Sequence, residues 1–575
     1  MAHARDIDAV RNNFGIWASE THTVLRFSGR DAATWLHAQT TNQVVSLGTG
    51  EGSQNALLDR TGRILAIFTI YRWDDEYWLL VPRAQVGAVM SRVDSHLFLE
   101  EVQVEDVGAD ARHIHIEGPR TLLFLDAIMG GGKLSNVRSL PERALHVAPV
   151  KILGFEVLAF RETLSGEDGF LLVPGPGEDA NLLAALLDHA PEFLGGEISP
   201  GAVETLRIEA GHALYGADVG PEQVINETPF EASAVAYDKG CYLGQEVVTR
   251  LKTYGSPKIA LTGLLSADPA TTYPAPGTPL LLAGERIGEM RSSTFSPTLS
   301  AWIGLAYLDR NHRAPSTILT LTGTDEAFSA TVQAPPFVAV KSRADYARAL
   351  YDEALGHFEQ DANDEDDTAI TLLKQCLVLA PAFEDAYEAL GVILHRHHRV
   401  DEAIHYMKLL AKLNPNCVMA HTNLSVFYVS KGMIAEAESE KALANQLEFK
   451  RQLDARDAEK MAAEERARIR REAEEKIAMF KEVLEIDAED PIATMGLGAS
   501  YMQLDQYADA IPHLETAIRV KKDYSAAFLN LGKCHEFLGH RDEARSVYQA
   551  GIEAASRKGD LMPLREMERR LKSLG

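Results

Sequence analysis

The second part of the chain, from Asp345 to the end, carries a repeat of 34 residues. Prolines and small residues recur at this spacing: Pro381 and Pro415; Ala369, Ala403 and Ala437; Gly498 and Gly532; Ala510 and Ala544. A fixed period of this length is typical of stacked helix pairs, in which each pair buries its apolar face against the next. The repeat therefore predicts an all-α solenoid over residues 345–575, with about five units of which the first and third are degenerate.

Two segments of this region resemble the tetratricopeptide repeat (TPR). Ala386–Gly391 and Ala527–Gly532 resemble its first helix, and Asp401-Glu-Ala and Asp542-Glu-Ala resemble the start of its second helix. The alternative is an unrelated helical bundle, which would not keep several positions in the same phase. The resemblance implies a TPR solenoid that recruits a protein partner through its groove.

The repeat is interrupted once, in a highly charged stretch. Residues 433–490 contain neither Gly nor Pro, and charges of opposite sign alternate at helical spacing from Arg451 to Lys476. This pattern predicts a long charged helical insertion at about residues 445–476, arranged as a projecting coiled hairpin. Two interpretations stay open, a solvated helical face and an arm that binds a partner.

Residues 1–340 have a different periodicity. Short alternating apolar runs indicate strands, with helical stretches between them. The strand runs are Thr23–Phe27, Ile64–Ile70, Tyr77–Val81 and Phe155–Phe160, and the helical stretches are Gly29–His37, Arg83–Ser95 and Asp179–Asp188. Residues 258–340 consist almost wholly of strand patterns. We expect an α+β core over residues 1–250, a small β-barrel over 251–340 and the solenoid over 345–575.

Composition excludes several classes of function. The chain has 575 residues and a formal net charge of −26, and both of its halves are acidic, so direct binding of nucleic acid is not expected. The four cysteines form no C-x-x-C pair, which argues against a disulfide framework, a zinc site or an iron–sulfur cluster held by this chain alone. No apolar run is long enough to span a bilayer, and the N-terminus has no secretory signal pattern. We expect a cytoplasmic protein.

The string Lys239-Gly-Cys-Tyr-Leu-Gly-Gln-Glu246 is the most informative motif. Cys241 lies between two glycines and next to a lysine. Glycines give the backbone conformational freedom, and a cation or a helix start near a thiol favours the reactive thiolate. The alternative is that Cys241 is a small buried apolar residue.

This string resembles the signature of the YgfZ-type folate-binding proteins, which are related to the glycine-cleavage T-protein, an aminomethyltransferase. Further blocks occur in the order found in that family: Gly29-Arg-Asp, Leu36–Asn42, Asp59–Arg63, Gly166–Phe170, Leu206–Gly211, Leu214–Gly216 and Gly304–Leu308. The resemblance covers residues 7–340. It implies two α+β subdomains and a barrel around a channel that binds tetrahydrofolate. It also implies a role in making or maintaining iron–sulfur clusters in client enzymes, including tRNA-modifying ones.

The resemblance also implies a set of site residues. It assigns the pterin-binding carboxylate to Glu167, and this fits the two hydrogen bonds that a carboxylate can accept. Arg207 is a second candidate, which either meets acceptors of the ligand or pairs with Glu209 in the core. Lys239, Tyr242 and Gln245 are the other expected folate-binding residues. Cys241 is the candidate reactive thiol, and no metal site is expected.

One departure from the family's pattern concerns the reaction. Aminomethyltransferases carry a pair of aspartates in the strand near the folate, and Ala66 and Ile67 stand at these positions here. Apolar side chains cannot relay a proton or stabilise a developing cation. The sequence therefore disfavours enzymatic aminomethyl transfer without excluding it. A folate-dependent aminomethyl or methyl transferase and a non-catalytic interaction scaffold are the two alternatives.

Overall fold

The computed structural model describes residues 2–109, 112–130, 139–267, 274–322, 327–360 and 367–574. The chain forms two compact units, Met1–Pro415 and Asn416–Gly575. Within the described residues, none of the helices combines the length and the apolar character that crossing a membrane would require.

The first unit contains all the described strands and the first twelve helices. The strands are β1 (Gly15–Ser19), β2 (His22–Ser28), β3 (Gly52–Leu58), β4 (Ile64–Trp73), β5 (Glu76–Pro82), β6 (Gln103–Asp106), β7 (His113–Glu117), β8 (Val147–Ile152), β9 (Phe155–Phe160), β10 (Gly169–Pro174), β11 (Gly196–Glu197), β12 (Ile259–Ser266), β13 (Pro279–Leu282), β14 (Glu285–Ser296), β15 (Ala301–Asp309), β16 (Ile318–Thr322) and β17 (Ala327–Gln333). The helices are α1 (Ala2–Asn12), α2 (Ala32–Gln39), α3 (Val86–His96), α4 (Thr121–Gly130), α5 (Asp179–His189), α6 (Pro200–Ala210), α7 (Phe230–Ala234), α8 (Gln245–Tyr254), α9 (Arg343–Gln360), α10 (Thr368–Leu379), α11 (Glu384–Arg396) and α12 (Val400–Leu413).

The strands form two open sheets and a barrel. One sheet has the order β3-β4-β5-β2-β6, and the other has the order β11-β1-β7-β10-β9-β8. The remaining strands close into a barrel in the order β12-β15-β14-β13-β16-β17. The α+β fold with its small β-barrel is therefore confirmed. The predicted strands and helices are all present, with ends that differ by at most a few residues.

Alternation of side chains along the strands places the cores. Phe27, Phe68 and Leu79 face one side of the first sheet and bury Trp35 and Leu36 of α2. On the other face of the same sheet, Val24, Tyr71 and Leu80 pack with strands of the second sheet, among them Phe160 and Leu171. Successive residues of a strand point to opposite faces, so β2 and β4 contribute to both cores.

The second unit contains helices only, within its described residues. They are α13 (Val418–Ser430), α14 (Ile434–Ile486), α15 (Pro491–Gln503), α16 (Tyr507–Val520), α17 (Ser525–Phe537), α18 (Arg541–Lys558) and α19 (Leu561–Ser573). The predicted all-α repeat region is confirmed. The predicted coiled hairpin is wrong, because α14 is a single continuous helix of 53 residues. Its exposed middle is held by ion pairs one turn apart, such as that of Arg470 with Glu474 at 3.0 Å.

The glycines of the repeat sit where the two helices of a pair cross. A Cβ at Gly498 would lie 2.6 Å from Leu514, and one at Gly532 would lie 2.2 Å from Tyr548. Leu514 and Tyr548 occupy equivalent places in the two units, which explains why the glycines recur with the period of the repeat.

The solenoid helices nearest the α+β core pack on that core. Arg343 of α9 donates to both carboxylate oxygens of Asp168, at 2.8 and 3.1 Å. The Tyr346 hydroxyl donates to the Arg11 carbonyl oxygen, and α10 contacts α4. The compact units consequently divide at residue 415. The domain boundary at 340–345, which rests on the change of sequence periodicity, stays a prediction.

Candidate functional site

A cavity of about 90 Å³ lies between the two open sheets, and we call it the central cavity. Its polar lining consists of the side chains of His22, Gln54, Thr69, His115, Glu162, Thr163, His212 and Tyr215. Its apolar lining consists of Ile67, Phe68, Leu80, Pro82, Leu164, Leu171, Ala213, Leu214 and Phe230. A wall of apolar and polar side chains is consistent with a small-molecule site, although such sites usually measure about 300–1,000 Å³. Binding of a whole pterin therefore requires lining side chains to move.

The position of the family's acidic pair is apolar in this cavity. Ile67 lines it, whereas the neighbouring Ala66 points to the other face of the strand and is buried in the core around α2. The backbone N–H of Ile67 donates to the Gln85 amide oxygen at 2.9 Å, which fixes this part of β4. A proton cannot be exchanged at Ile67, so the wall at this point can only shape the cavity.

Glu162 is the carboxylate that lines the central cavity. It follows β9 and accepts a hydrogen bond from the hydroxyl of Tyr71, which is fully buried on β4. Burial, together with the charge of Glu162 and this hydrogen bond, raises the pKa of Tyr71 far above its usual value. Tyr71 therefore stays a donor and holds Glu162 in place. A positioned carboxylate can accept hydrogen bonds from the amino and ring N–H groups of a pterin.

Four histidines lie at or beside this cavity. Burial lowers the pKa of His22 to about 4 and that of His113 to about 3, with smaller contributions from neighbouring cationic groups. Burial also lowers the pKa of His212. His115 stacks on Trp17 with ring centroids 4.9 Å apart, and its Nδ1 lies 3.0 Å from the Glu117 carboxylate. His22, His113 and His212 are therefore neutral at pH 7 and present hydrogen-bonding groups without net charge.

Glu167 lies away from this lining. It is buried in the turn before β10, and its carboxylate accepts from Arg11 Nη1 at 2.8 Å. Burial raises the pKa of Glu167, and Arg11 opposes that shift. Glu167 lines a different cavity of about 460 Å³, between α1 and the segment that leads into α9. The structure does not bring Glu167 and the other expected residues together around one space.

Arg207 is a structural residue of the core. It is 1% exposed, and its guanidinium donates to Asp218 at 2.8 Å and to Ser292 at 2.8 Å. A second carboxylate, that of Glu204, accepts from Arg207 Nε at 2.7 Å. The alternative in which Arg207 pairs with Glu209 is wrong, because Glu209 accepts from Arg11 and Ser296 instead.

The Cys241 loop is anchored by Lys239. The Lys239 ammonium donates to the carbonyl oxygens of His37 and Thr40, both at 2.6 Å, and to that of Asn42 at 3.0 Å. Burial lowers the pKa of Lys239 to about 8. This cation satisfies carbonyls at the C-terminal end of α2, where helix carbonyls lack partners. Lys239 therefore anchors the Cys241 loop to the C-terminal end of α2.

Cys241 and Tyr242 point in opposite directions. Cys241 is exposed at the surface, and it lies four residues before the start of α8. Tyr242 is buried in an apolar cluster that includes Ile67 and Phe230, two residues of the central cavity's wall. Burial raises the pKa of Tyr242 to about 12. The loop thus joins a surface thiol to the wall of the central cavity.

Gly244 and Gln245 close this loop. Gly244 has φ +86°, and a Cβ there would lie 2.5 Å from the Asp59 carbonyl oxygen, so the loop packs tightly on the Asp59–Arg63 turn. Gly240 has no such restriction, since a Cβ at that position would meet open space. The Gln245 amide nitrogen is 3.5 Å from the Lys239 carbonyl oxygen, at the limit of a hydrogen bond.

Comparisons with known proteins assign the family. Family models described as the GCVT N-terminal domain and the glycine cleavage T-protein C-terminal barrel domain match residues 1–237 and 260–339. A probable aminomethyltransferase of Halobacterium salinarum is 32% identical over 345 residues, which cover 57% of this chain and 89% of that protein. The chain belongs to the aminomethyltransferase family. An aminomethyltransferase of Prosthecochloris aestuarii is 29% identical, with the same coverage.

Two further matches concern the fold and the solenoid. The crystal structure of the glycine cleavage system aminomethyltransferase T from Bartonella henselae is similar with a TM-score of 0.51 and 20% identity, over 58% of this chain and 89% of that one. At this identity the similarity shows the fold of the aminomethyltransferase module. A tetratricopeptide repeat model matches residues 501–557, which confirms the TPR resemblance. TPR solenoids present extended surfaces to other proteins.

Sequence reasoning missed the histidines and the carboxylate that line the central cavity of this aminomethyltransferase-family module. His22, His115 and His212 are far apart in sequence and belong to no motif, and Glu162 precedes the Gly166–Phe170 block by four residues. The sequence could have predicted that His113 and His115 lie on one face of the sheet, because side chains two residues apart in a strand point to the same side. Nothing in the sequence gives the pairing of Glu162 with Tyr71.

The buried histidines predict a dependence of stability on pH. An unfolded histidine titrates near pH 6.5, whereas His113 and His22 keep their neutral form in the fold down to about pH 3 and 4. Between pH 6.5 and 4 the unfolded chain binds more protons, so the free energy of unfolding should decrease as the pH falls. A His113→Phe variant should show a shallower decrease over this range.

Urea unfolding followed by tryptophan fluorescence measures this effect, because all five tryptophans precede residue 341 and report on the aminomethyltransferase-like module alone. Identical pH slopes for the wild-type protein and His113→Phe would contradict the assignment.

Proposed function

We propose that residues 1–340 form a tetrahydrofolate-binding module of the YgfZ type. It assists the assembly or maintenance of iron–sulfur clusters in client enzymes, including tRNA-modifying ones, and the TPR solenoid recruits a protein partner. The observation that carries this proposal is the composition of the central cavity. It presents one fixed carboxylate and the neutral side chains of His22 and His212, and it has Ile67 where the family's catalytic acid is expected.

These groups suit binding better than aminomethyl transfer. Glu162 supplies an acceptor for the pterin's N–H groups, and Gln54, Thr69 and His115 supply further hydrogen-bonding partners. Ile67 cannot take up or return a proton. In this proposal the folate is held and oriented, and no step of aminomethyl transfer is assigned to the chain.

The exposed thiol of Cys241 is the group proposed to act on the client. It is the one cysteine before residue 341, whereas Cys376 and Cys534 are buried in helices, and burial raises the pKa of these thiols to about 12 and about 11. Among the described residues, none of the clusters of His, Cys, Asp or Glu has the geometry to hold a metal ion. In this proposal an iron–sulfur cluster binds only transiently, with ligands supplied in part by the client enzyme.

The second candidate function is folate-dependent aminomethyl transfer. Two observations favour it: the similar proteins named above are aminomethyltransferases, and Glu162 provides a carboxylate in the cavity despite the loss of the acidic pair. It predicts turnover of an aminomethyl donor in the presence of tetrahydrofolate, and this turnover should disappear in Glu162→Gln. If the protein binds tetrahydrofolate but shows no turnover, the aminomethyl transferase function is excluded and the folate-binding function without transfer is retained.

The folate site can be tested by comparing two glutamates. We expect tetrahydrofolate to bind with a micromolar Kd, and Glu162→Gln to weaken binding by about 1.5–3 kcal/mol because hydrogen bonds to a charged acceptor are lost. Glu167→Gln is the matched control, since Glu167 carries the same side chain but faces Arg11 outside the central cavity. It should lower the melting temperature and leave the Kd within about threefold. Calorimetric titration gives the Kd of each variant. A larger loss of tetrahydrofolate affinity in Glu167→Gln than in Glu162→Gln would assign the pterin-binding carboxylate to Glu167.

The thiol can be tested separately from folding. A limiting thiol reagent at neutral pH should label Cys241 before the three other cysteines, because it is the exposed one. Cys241→Ser is nearly isosteric, so melting temperature and folate affinity should stay close to wild type. The variant should fail to restore iron–sulfur enzyme activity in a strain that lacks the gene, whereas the control Cys417→Ser should restore it. Full rescue by Cys241→Ser would remove the thiol from the mechanism.

A further inference from the structure

Another cavity of the first unit is separate from the central cavity. It measures about 640 Å³ and lies between α4 and the turn at Ala190–Phe193 on one side and α10 and α12 on the other. We call it the junction cavity. The matches to the two aminomethyltransferase domains end at residue 339, so α10 and α12 are additions to that module. The junction cavity therefore exists only in the fused chain.

The lining of the junction cavity is apolar with charged groups at separate places. Leu123, Phe193, Leu194, Leu377 and Val378 form its apolar wall. Leu194 is 62% exposed and has φ +62°, so this part of the wall is presented by a residue in the left-handed conformation. Such an exposed apolar surface in a large concavity is typical of a ligand site.

Asp126 supplies a negative charge to the wall of the junction cavity. It lies on α4 in the cavity wall, and one of its carboxylate oxygens is fully buried without a hydrogen-bond partner in the described part of the chain. Burial raises the pKa of Asp126. Across the cavity, the amide oxygen of Gln375 is likewise buried without a partner among the described residues. Both atoms are buried acceptors, and a cationic ligand group supplies the N–H donors that they lack.

Arg120 supplies a positive charge at the other end of α4. Its guanidinium makes no hydrogen bond or ion pair within the described residues, whereas the second cation of the wall, Lys374, is paired with Glu402 at 3.3 Å. Arg120 and Asp126 are six positions apart, which corresponds to about 9 Å between their backbones along a helix axis. An extended peptide advances about 3.3–3.6 Å per residue, so the ends of two or three residues span this distance.

We propose that the junction cavity binds a short apolar peptide of two or three residues with free ends. The N-terminal ammonium of the peptide pairs with Asp126, its C-terminal carboxylate pairs with Arg120, and its apolar side chains cover Leu123, Phe193 and Val378. The volume accommodates such a peptide and exceeds what a single amino acid fills. The site is separate from the central cavity, so it is independent of the proposed folate function.

Calorimetric titration of the full chain with the tripeptide Leu-Ala-Leu tests this proposal. We expect saturable binding with a Kd of about 1 mM or tighter, and binding at least about tenfold weaker for the N-acetylated and for the C-amidated peptide. In Asp126→Asn the free and N-acetylated peptides should bind alike. In Arg120→Gln the free and amidated peptides should bind alike. Free leucine, which cannot reach both charges, should bind at least about tenfold more weakly than the tripeptide.

Two controls keep the outcome clear. Asp75→Asn removes an exposed carboxylate from the same unit outside the cavity and should leave peptide binding unchanged. Ala127→Phe fills the cavity without removing a charge and should abolish peptide binding, while tetrahydrofolate binding persists and shows that the module is folded. Absence of saturable binding of Leu-Ala-Leu would overturn the proposal. The proposal would also be overturned if the wild-type protein and Asp126→Asn preferred the free peptide over the N-acetylated peptide by the same factor.

Discussion

The largely buried guanidinium of Arg11 connects three elements of the first unit through ion pairs. Its two terminal nitrogens pair with Glu167 at 2.8 Å and Glu209 at 2.7 Å, which links α1 to the turn before β10 and to α6. Glu209 also accepts from Ser296 of the barrel at 2.5 Å. Removal of one partner from a buried pair of this kind typically costs about 3–5 kcal/mol, because a charge is left without compensation. The turn that contains Glu167 is therefore bound to α1 through Arg11.

Glu167 is buried and paired with Arg11 outside the central cavity. The carboxylate that lines the central cavity is Glu162, which accepts from Tyr71. The loss of the family's acidic pair leaves Ile67 in the same wall. Tyr242 packs with Ile67 in one apolar cluster, so the loop that exposes Cys241 rests on the cavity's wall.

Local patterns in the sequence were sufficient to predict the helices, the strands and the 34-residue repeat. Alternation predicted β4 and β9, and the spacing of Gly498 and Gly532 predicted helix pairs that cross at small residues. The same patterns could not predict partners that are distant in sequence. Arg207 pairs with Asp218 and Glu204, and Glu209 pairs with Arg11, because the packing of α6 against α1 and the barrel decides which groups meet. The charged stretch in α14 was compatible with a hairpin or with one helix, since ion pairs one turn apart stabilise both.

A crystal structure of the protein with bound tetrahydrofolate would distinguish the two candidate positions of the pterin. We expect electron density for the pterin between the two open sheets, in contact with Ile67, His115 and Glu162, with side chains of the wall displaced to enlarge the cavity. Density for the pterin in the separate cavity beside Glu167 and Arg11 would show that the central cavity is not the folate site, and so would a structure in which Glu162 still points to Tyr71 and the ligand is bound elsewhere.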